Sequence, residues 1–210
     1  MSLKQMAVVL LAVATVAPIV GCQIDQHKNG DNENVKIATP FGGLQVKTNG
    51  AVAEGETGID LYPGAVLIKK DHDHDDGAAD VNLSFGKFSL RVKAASYHTP
   101  DSTDKVLAFY RGKLTKYGVI IQCSDNHPVG QPDHTPQGLT CDNDKNNHIS
   151  VSHDNDNLEL KVGSKQHQHI VAIDPDGSGT KIGLVSLDLP TGFSMDDSDD
   201  DSKPKSERKQ

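Results

Sequence analysis

The chain has 210 residues, 21 lysines and arginines against 29 aspartates and glutamates, a net charge of −8, ten histidines and no tryptophan. That acidic balance argues against nucleic acid, whose phosphates require basic surface, and against a polybasic membrane patch. Aromatic residues make up only 4% of the chain, so the core is modest, and a single domain of about 130 residues is a usual size.

Lys4 is the only charge before Asp25, and residues 6–20 read MAVVLLAVATVAPIV, with Thr15 the single polar side chain. A membrane-spanning helix needs roughly 20 apolar residues. The shorter run, with a basic start and small residues at its end, predicts a secretory signal over residues 1–21. Ile19-Val20-Gly21-Cys22 resembles the lipobox of bacterial lipoproteins. The resemblance implies a diacylglyceryl group on the Cys22 thiol, cleavage ahead of it and, often, acylation of the new amino end. Two or more acyl chains anchor stably where one is marginal, each buried methylene contributing about 0.8 kcal/mol. An uncleaved signal anchor or a plain secretory signal is the competing reading. In lipoproteins of double-membraned bacteria an aspartate after the cysteine resembles an inner-membrane retention signal. Gln23 stands there instead, which favours the outer membrane over the inner one. Loss of residues 1–21 removes one lysine and no acid, leaving 20 basic against 29 acidic residues, a net of −9.

Residues 22–34 continue as QIDQHKNGDNEN after the cysteine, almost wholly polar, and predict a flexible tether. Residues 35–57 predict a short β hairpin and a linker. Val35 and Ile37, then Leu44 and Val46, alternate with polar residues around a turn at Pro40, Gly42 and Gly43. An α+β domain is expected over residues 58–190. Pro63 fixes a turn in LYPGA, and short strands follow at 66–68 and 81–85. A longer one at 88–97 places Phe88, Leu90, Val92 and Ala94 on one face. A helix is expected after Thr99-Pro100-Asp101-Ser102, which supplies N-capping oxygens, with Asp104 favourable in its first turn. Val106, Phe109 or Tyr110, Leu114 and Tyr117 recur at helical spacing, and Gly118 suits the C-terminal cap. Further strands are expected at 118–123, 149–151, 158–162, 170–173 and 182–189, with a hairpin turn at 174–179. Residues 191–210 predict a disordered charged tail. One helix among many strands predicts an antiparallel sheet with the helix packed on one face.

The runs TPFGGLQVKT, LYPGA, DSTDKVLAFYRGKL and LKVGSK…IVAI…GSGTKIGLVSL resemble a family of uncharacterised exported bacterial proteins. The likeness lies in a YPGA-type turn, a V-x-x-F-Y helix and a terminal hairpin, across roughly residues 35–190. It implies an α+β fold and a cell-envelope location, and no activity comes with it. The histidine-rich loop at 71–76 is not part of that pattern.

Three cysteines leave one unpaired in an oxidising compartment. Lipidation of Cys22 leaves Cys123 and Cys141 as a disulfide pair, closing a turn-rich loop at a gain of about 3 kcal/mol. Asp71-His72-Asp73-His74-Asp75-Asp76 concentrates imidazoles and carboxylates, both of which ligate zinc or copper. His167 and His169 repeat the spacing of His72 and His74, so two such pairs on neighbouring strands could supply four metal ligands. Solvated loop and strand residues explain the same pattern, and are preferred. Asp142, Asp144 and Asn146 resemble the start of a calcium loop, but Asn147 and His153 stand where glycine and glutamate are needed. There is no G-x-S-x-G, no H-E-x-x-H and no phosphate-cradling loop. These observations predict a non-enzymatic envelope lipoprotein, held on the membrane by its lipid and binding an unidentified protein or small molecule. A periplasmic lipoprotein that binds a transition metal through loop 71–76 is the alternative.

Overall fold

The computed structural model describes residues 22–29, 32–48, 55–69, 77–141 and 158–190. Eleven strands and one helix make up this part of the chain. The strands are β1 (Gln23–Asn29), β2 (Asn32–Thr39), β3 (Gly42–Thr48), β4 (Val66–Leu67), β5 (Ala78–Phe85) and β6 (Phe88–Thr99). The helix α1 (Thr103–Leu114) comes next and tightens into a 3-10 turn at Thr115–Tyr117. After it come β7 (Ile121–Ser124), β8 (His127–Pro128), β9 (Leu158–Gly163), β10 (His167–Asp176) and β11 (Gly179–Asp188). All pair antiparallel in one sheet, ordered β1-β2-β3-β5-β6-β11-β10-β9-β7-β8, with β4 beside the far end of β6. The molecule is therefore dominated by sheet.

Short hairpins build most of this order. Gly86 opens the two-residue β5–β6 loop and Gly177 the β10–β11 loop, each at φ 58, where the twist of a two-residue hairpin calls for glycine. At the β2–β3 turn the Thr39 hydroxyl oxygen accepts from the Phe41 and Gly42 amides at 3.3 and 3.1 Å.

Two strands replace the expected tether. β1 pairs with β2 from Gln23↔Ala38 to Asn29↔Asn32, so the chain is already in the sheet one residue after Cys22. A polar edge strand needs only backbone pairing on one side, which composition does not reveal. Nor does a boundary fall near residue 58, because β3 pairs with β5 along its whole length. The signal over 1–21, the tail over 191–210, the strand at 149–151 and the calcium-like run from Asp142 lie outside the described residues.

Opposed residues of an antiparallel ladder share a face, and successive residues alternate between faces. On one face α1 packs against β9, β10 and β11. Val106, Tyr110 and Leu114 meet Leu160, Val162, Val171, Ile173, Ile182 and Leu184 there, with Ala95 and Tyr97 of β6. The N-capping oxygens expected of Thr99 to Ser102 are used otherwise: Ser102 holds the cap position without a side-chain bond. Asp101 instead accepts from the Tyr62 hydroxyl at 2.8 Å and from Lys105 Nζ at 2.9 Å.

The wing from β1 to β6 is apolar on the other face. Ile24, Ile37, Leu44, Leu83 and Leu90 form one cross-strand row. Val35, Val46, Val81, Val92 and Leu187 form the next. On the helix side the same strands carry Asp25, Lys36, Gln45, Asn82 and Arg91 in one row. Phe88, Leu90, Val92 and Ala94 do share a face, as their alternation indicates, and it is the face turned away from α1.

Candidate functional site

Three places gather the residues of chemical interest: the Cys22 edge, the disulfide region and the start of β10. Cys22 is exposed and stands immediately before β1. The pairing Gln23↔Ala38 sets it beside Thr39, at the end of the sheet where the β2–β3 and β5–β6 turns lie. Three of the exposed large apolar side chains are here: Ile24 at 66%, Phe41 at 73% and Phe85 at 61% of full exposure. Phe41 and Phe85 flank neighbouring turns, which are tied by the Gly86 amide donating to the Phe41 carbonyl at 3.0 Å.

Cys123 of β7 and Cys141 are joined by a disulfide, with Cα atoms 5.5 Å apart and a sequence separation of 18. Both are buried beside Ile121 and Leu139, in a small core separate from that under α1. The bridge fastens the loop after β8, where the Thr135 hydroxyl accepts from the Leu139 amide at 3.0 Å. A buried sulfur paired in this way is no nucleophile. Lys161 of β9, on the same face as Ile121, is only 5% exposed, and its Nζ lies 3.3 Å from Glu159. Sequence reading passed over this buried ion pair, because LELKV reads as an ordinary strand. The alternation of apolar Leu160 and Val162 with Glu159 and Lys161 was the available signal.

His167 and His169 point to the helix side of β10. His167 is exposed, and its Nδ1 lies 2.8 Å from an Asp188 carboxylate oxygen on β11. His169 lies half-buried under Tyr117, with ring centres 4.2 Å apart. Tyr117 in turn donates to the Gly58 carbonyl. His169 Nδ1 is buried and has no hydrogen-bond partner among the described residues. Burial lowers the pKa of this ring, opposed by the nearby Asp188 carboxylate and reinforced by Lys116. Lys116 itself donates to Asp60 at 3.0 Å. That bond, more than any other contact, holds the Asp60 carboxyl below its usual value.

Among the described residues no three histidines, cysteines or carboxylates converge on a metal-sized site. His72 and His74 lie outside the described residues. His167 and His169 are separately engaged, one by Asp188 and the other by Tyr117. No described helix is long and apolar enough to cross a membrane. Comparison with protein-family models, with curated proteins and with solved structures finds no match to this chain.

Proposed function

We propose that this protein is a cell-envelope lipoprotein, anchored through acyl chains on Cys22, whose α+β domain serves as a non-enzymatic binding or structural module. The observation that carries the reading is Cys22 itself. It follows the apolar run and the Ile-Val-Gly sequence of a lipobox, and it is exposed at the first residue before the sheet. A diacylglyceryl group there would meet no steric obstacle from the fold. The disulfide between Cys123 and Cys141 also supports an oxidising, exported setting. The titratable groups around α1 are spent on fixing the helix: Asp60 on Lys113 and Lys116, Asp101 on Tyr62 and Lys105.

The test is the mass of the amino-terminal peptide from protein made in a lipoprotein-processing bacterium, beside a Cys22→Ser variant. The reading requires acylated Cys22 as the first residue and release of the variant from membrane to soluble fractions. An unmodified cysteine in a membrane-free protein would refute it. The transition-metal alternative is tested by zinc titration of the same material beside a His72→Ala/His74→Ala variant. It requires one tight site per chain that the variant loses.

A further inference from the structure

Resting on the lipid anchor proposed above, we infer that the wing formed by β1, β2, β3, β5 and the start of β6 is a membrane-docking surface. Its turn end, with Phe41 and Phe85, enters the interface of the bilayer that holds Cys22. With β1 starting at Gln23 there is no tether, so acyl chains on Cys22 bring this end of the sheet to the bilayer surface. The orientation is fixed further by the apolar face, whose outermost row begins with Ile24, two residues from the anchor.

Charge points the same way. The chain carries 29 carboxylates, yet positions 23–24, 38–44 and 83–90, which make up this end, contain none and hold one charge, Lys87. Aromatic side chains beside turns that carry no carboxylate suit the interfacial region, where amphipathic surfaces bury an apolar face about 5–10 Å deep. An acidic surface would be repelled by anionic headgroups, so a carboxylate-free end on an acidic protein is the part able to approach them. A second copy could also cover the apolar rows, but nothing in that arrangement would place the anchor and the exposed aromatics at one end.

The absence of tryptophan makes the test direct. Phe41→Trp and Phe85→Trp each give the acylated full chain a sole tryptophan at the turn end. Val66→Trp places one at an exposed site opposite His98, ten residues along β6 from Phe88 and so about 33 Å away. Each is reconstituted in vesicles of phosphatidylethanolamine and phosphatidylglycerol, with or without brominated phospholipid. Expected is a blue shift and at least about twofold quenching at positions 41 and 85, from the interfacial depth above, with position 66 unchanged. Tryptophans 41 and 85 that ignore brominated lipid on an acylated, vesicle-bound chain overturn the inference. So does a blue shift that follows protein concentration without lipid, which marks a contact between copies. The mass of the amino-terminal peptide separates the two readings. If Cys22 carries no lipid, the anchor reading fails, and quenching by added vesicles then decides the docking surface by itself.

Discussion

Replacing Cys123 and Cys141 together by alanine tests how the second core is held. The two residues are 18 apart, and closing a loop of that length removes denatured-state entropy equivalent to about 3 kcal/mol at 25 °C. The pair also lies buried beside Ile121 and Leu139, so alanine leaves small gaps in that cluster and adds to the loss. For a chain of this size each kcal/mol moves the unfolding midpoint by about 2–4 °C, so a fall of about 6–12 °C is expected. Circular dichroism melts of the full chain in detergent measure it, with and without reductant. Reductant should lower the wild-type midpoint most of the way to that of the variant, the remaining difference being the gaps left by alanine, and leave the variant unmoved. Equal midpoints without reductant, or two alkylatable thiols at these positions in the exported protein, would show that the bridge does not stabilise the fold.

Three further outcomes follow from the core, the sheet and His169. Tyr110→Ala empties a wholly buried site between α1 and the sheet and should cost about 3–5 kcal/mol in urea unfolding; under 1 kcal/mol would mean that α1 is not anchored there. Gly42→Ala puts a methyl group into the Ser84 carbonyl of the neighbouring strand, and should lower stability while shifting amide exchange in β3 and β5. Exchange unchanged in both strands would contradict the pairing of Gly42 with Phe85. The lowered pKa of His169 means that the unfolded chain takes up this proton first as the pH falls. The stabilisation is therefore complete above about pH 6.5, the ordinary histidine value, and is lost as the pH drops from there towards the folded pKa. His169→Gln should flatten that part of the stability profile, and an identical slope in both proteins would assign the effect elsewhere.

The sequence made the middle of the fold legible and its margins much less so. Val106, Tyr110 and Leu114 announce the buried stripe of α1 by their spacing, and the structure buries all three. The cysteine pair and the hairpin at Gly177 were likewise readable, because loop closure and positive φ leave marks in residue type. β1 left none. QIDQHKN has one large apolar residue, and its strand exists because β2 offers an unpaired edge. The side of the sheet on which the helix sits was also hidden. β6 has a strong apolar alternation through Leu90 and Val92, but the β6 side chains that join the core beneath α1 are Ala95 and Tyr97, on the alternate face. Pairing order decides this, since only a strand already joined to β11 is drawn beneath the helix.

The dimensions explain why the apolar rows of the wing need a partner that this helix does not supply. Twelve helical residues extend about 18 Å, and a helix with its side chains is about 10–12 Å across. Ten strands in sequence across the sheet, at about 4.8 Å per step, span about 43 Å. A single helix of that size shelters three or four strands, in keeping with its contacts to β9, β10 and β11. It also lies on the opposite face from Ile24, Ile37, Leu44, Leu83 and Leu90. A sheet that is polar on the helix side and apolar on the other is patterned for two different surroundings, water on one side and an apolar medium on the other. In the proposed orientation the bilayer meets the turn end of that apolar face, and the strand that starts at Gln23 becomes a requirement: a long tether would hold this end away from the membrane, whereas a strand that starts at the anchor holds it there.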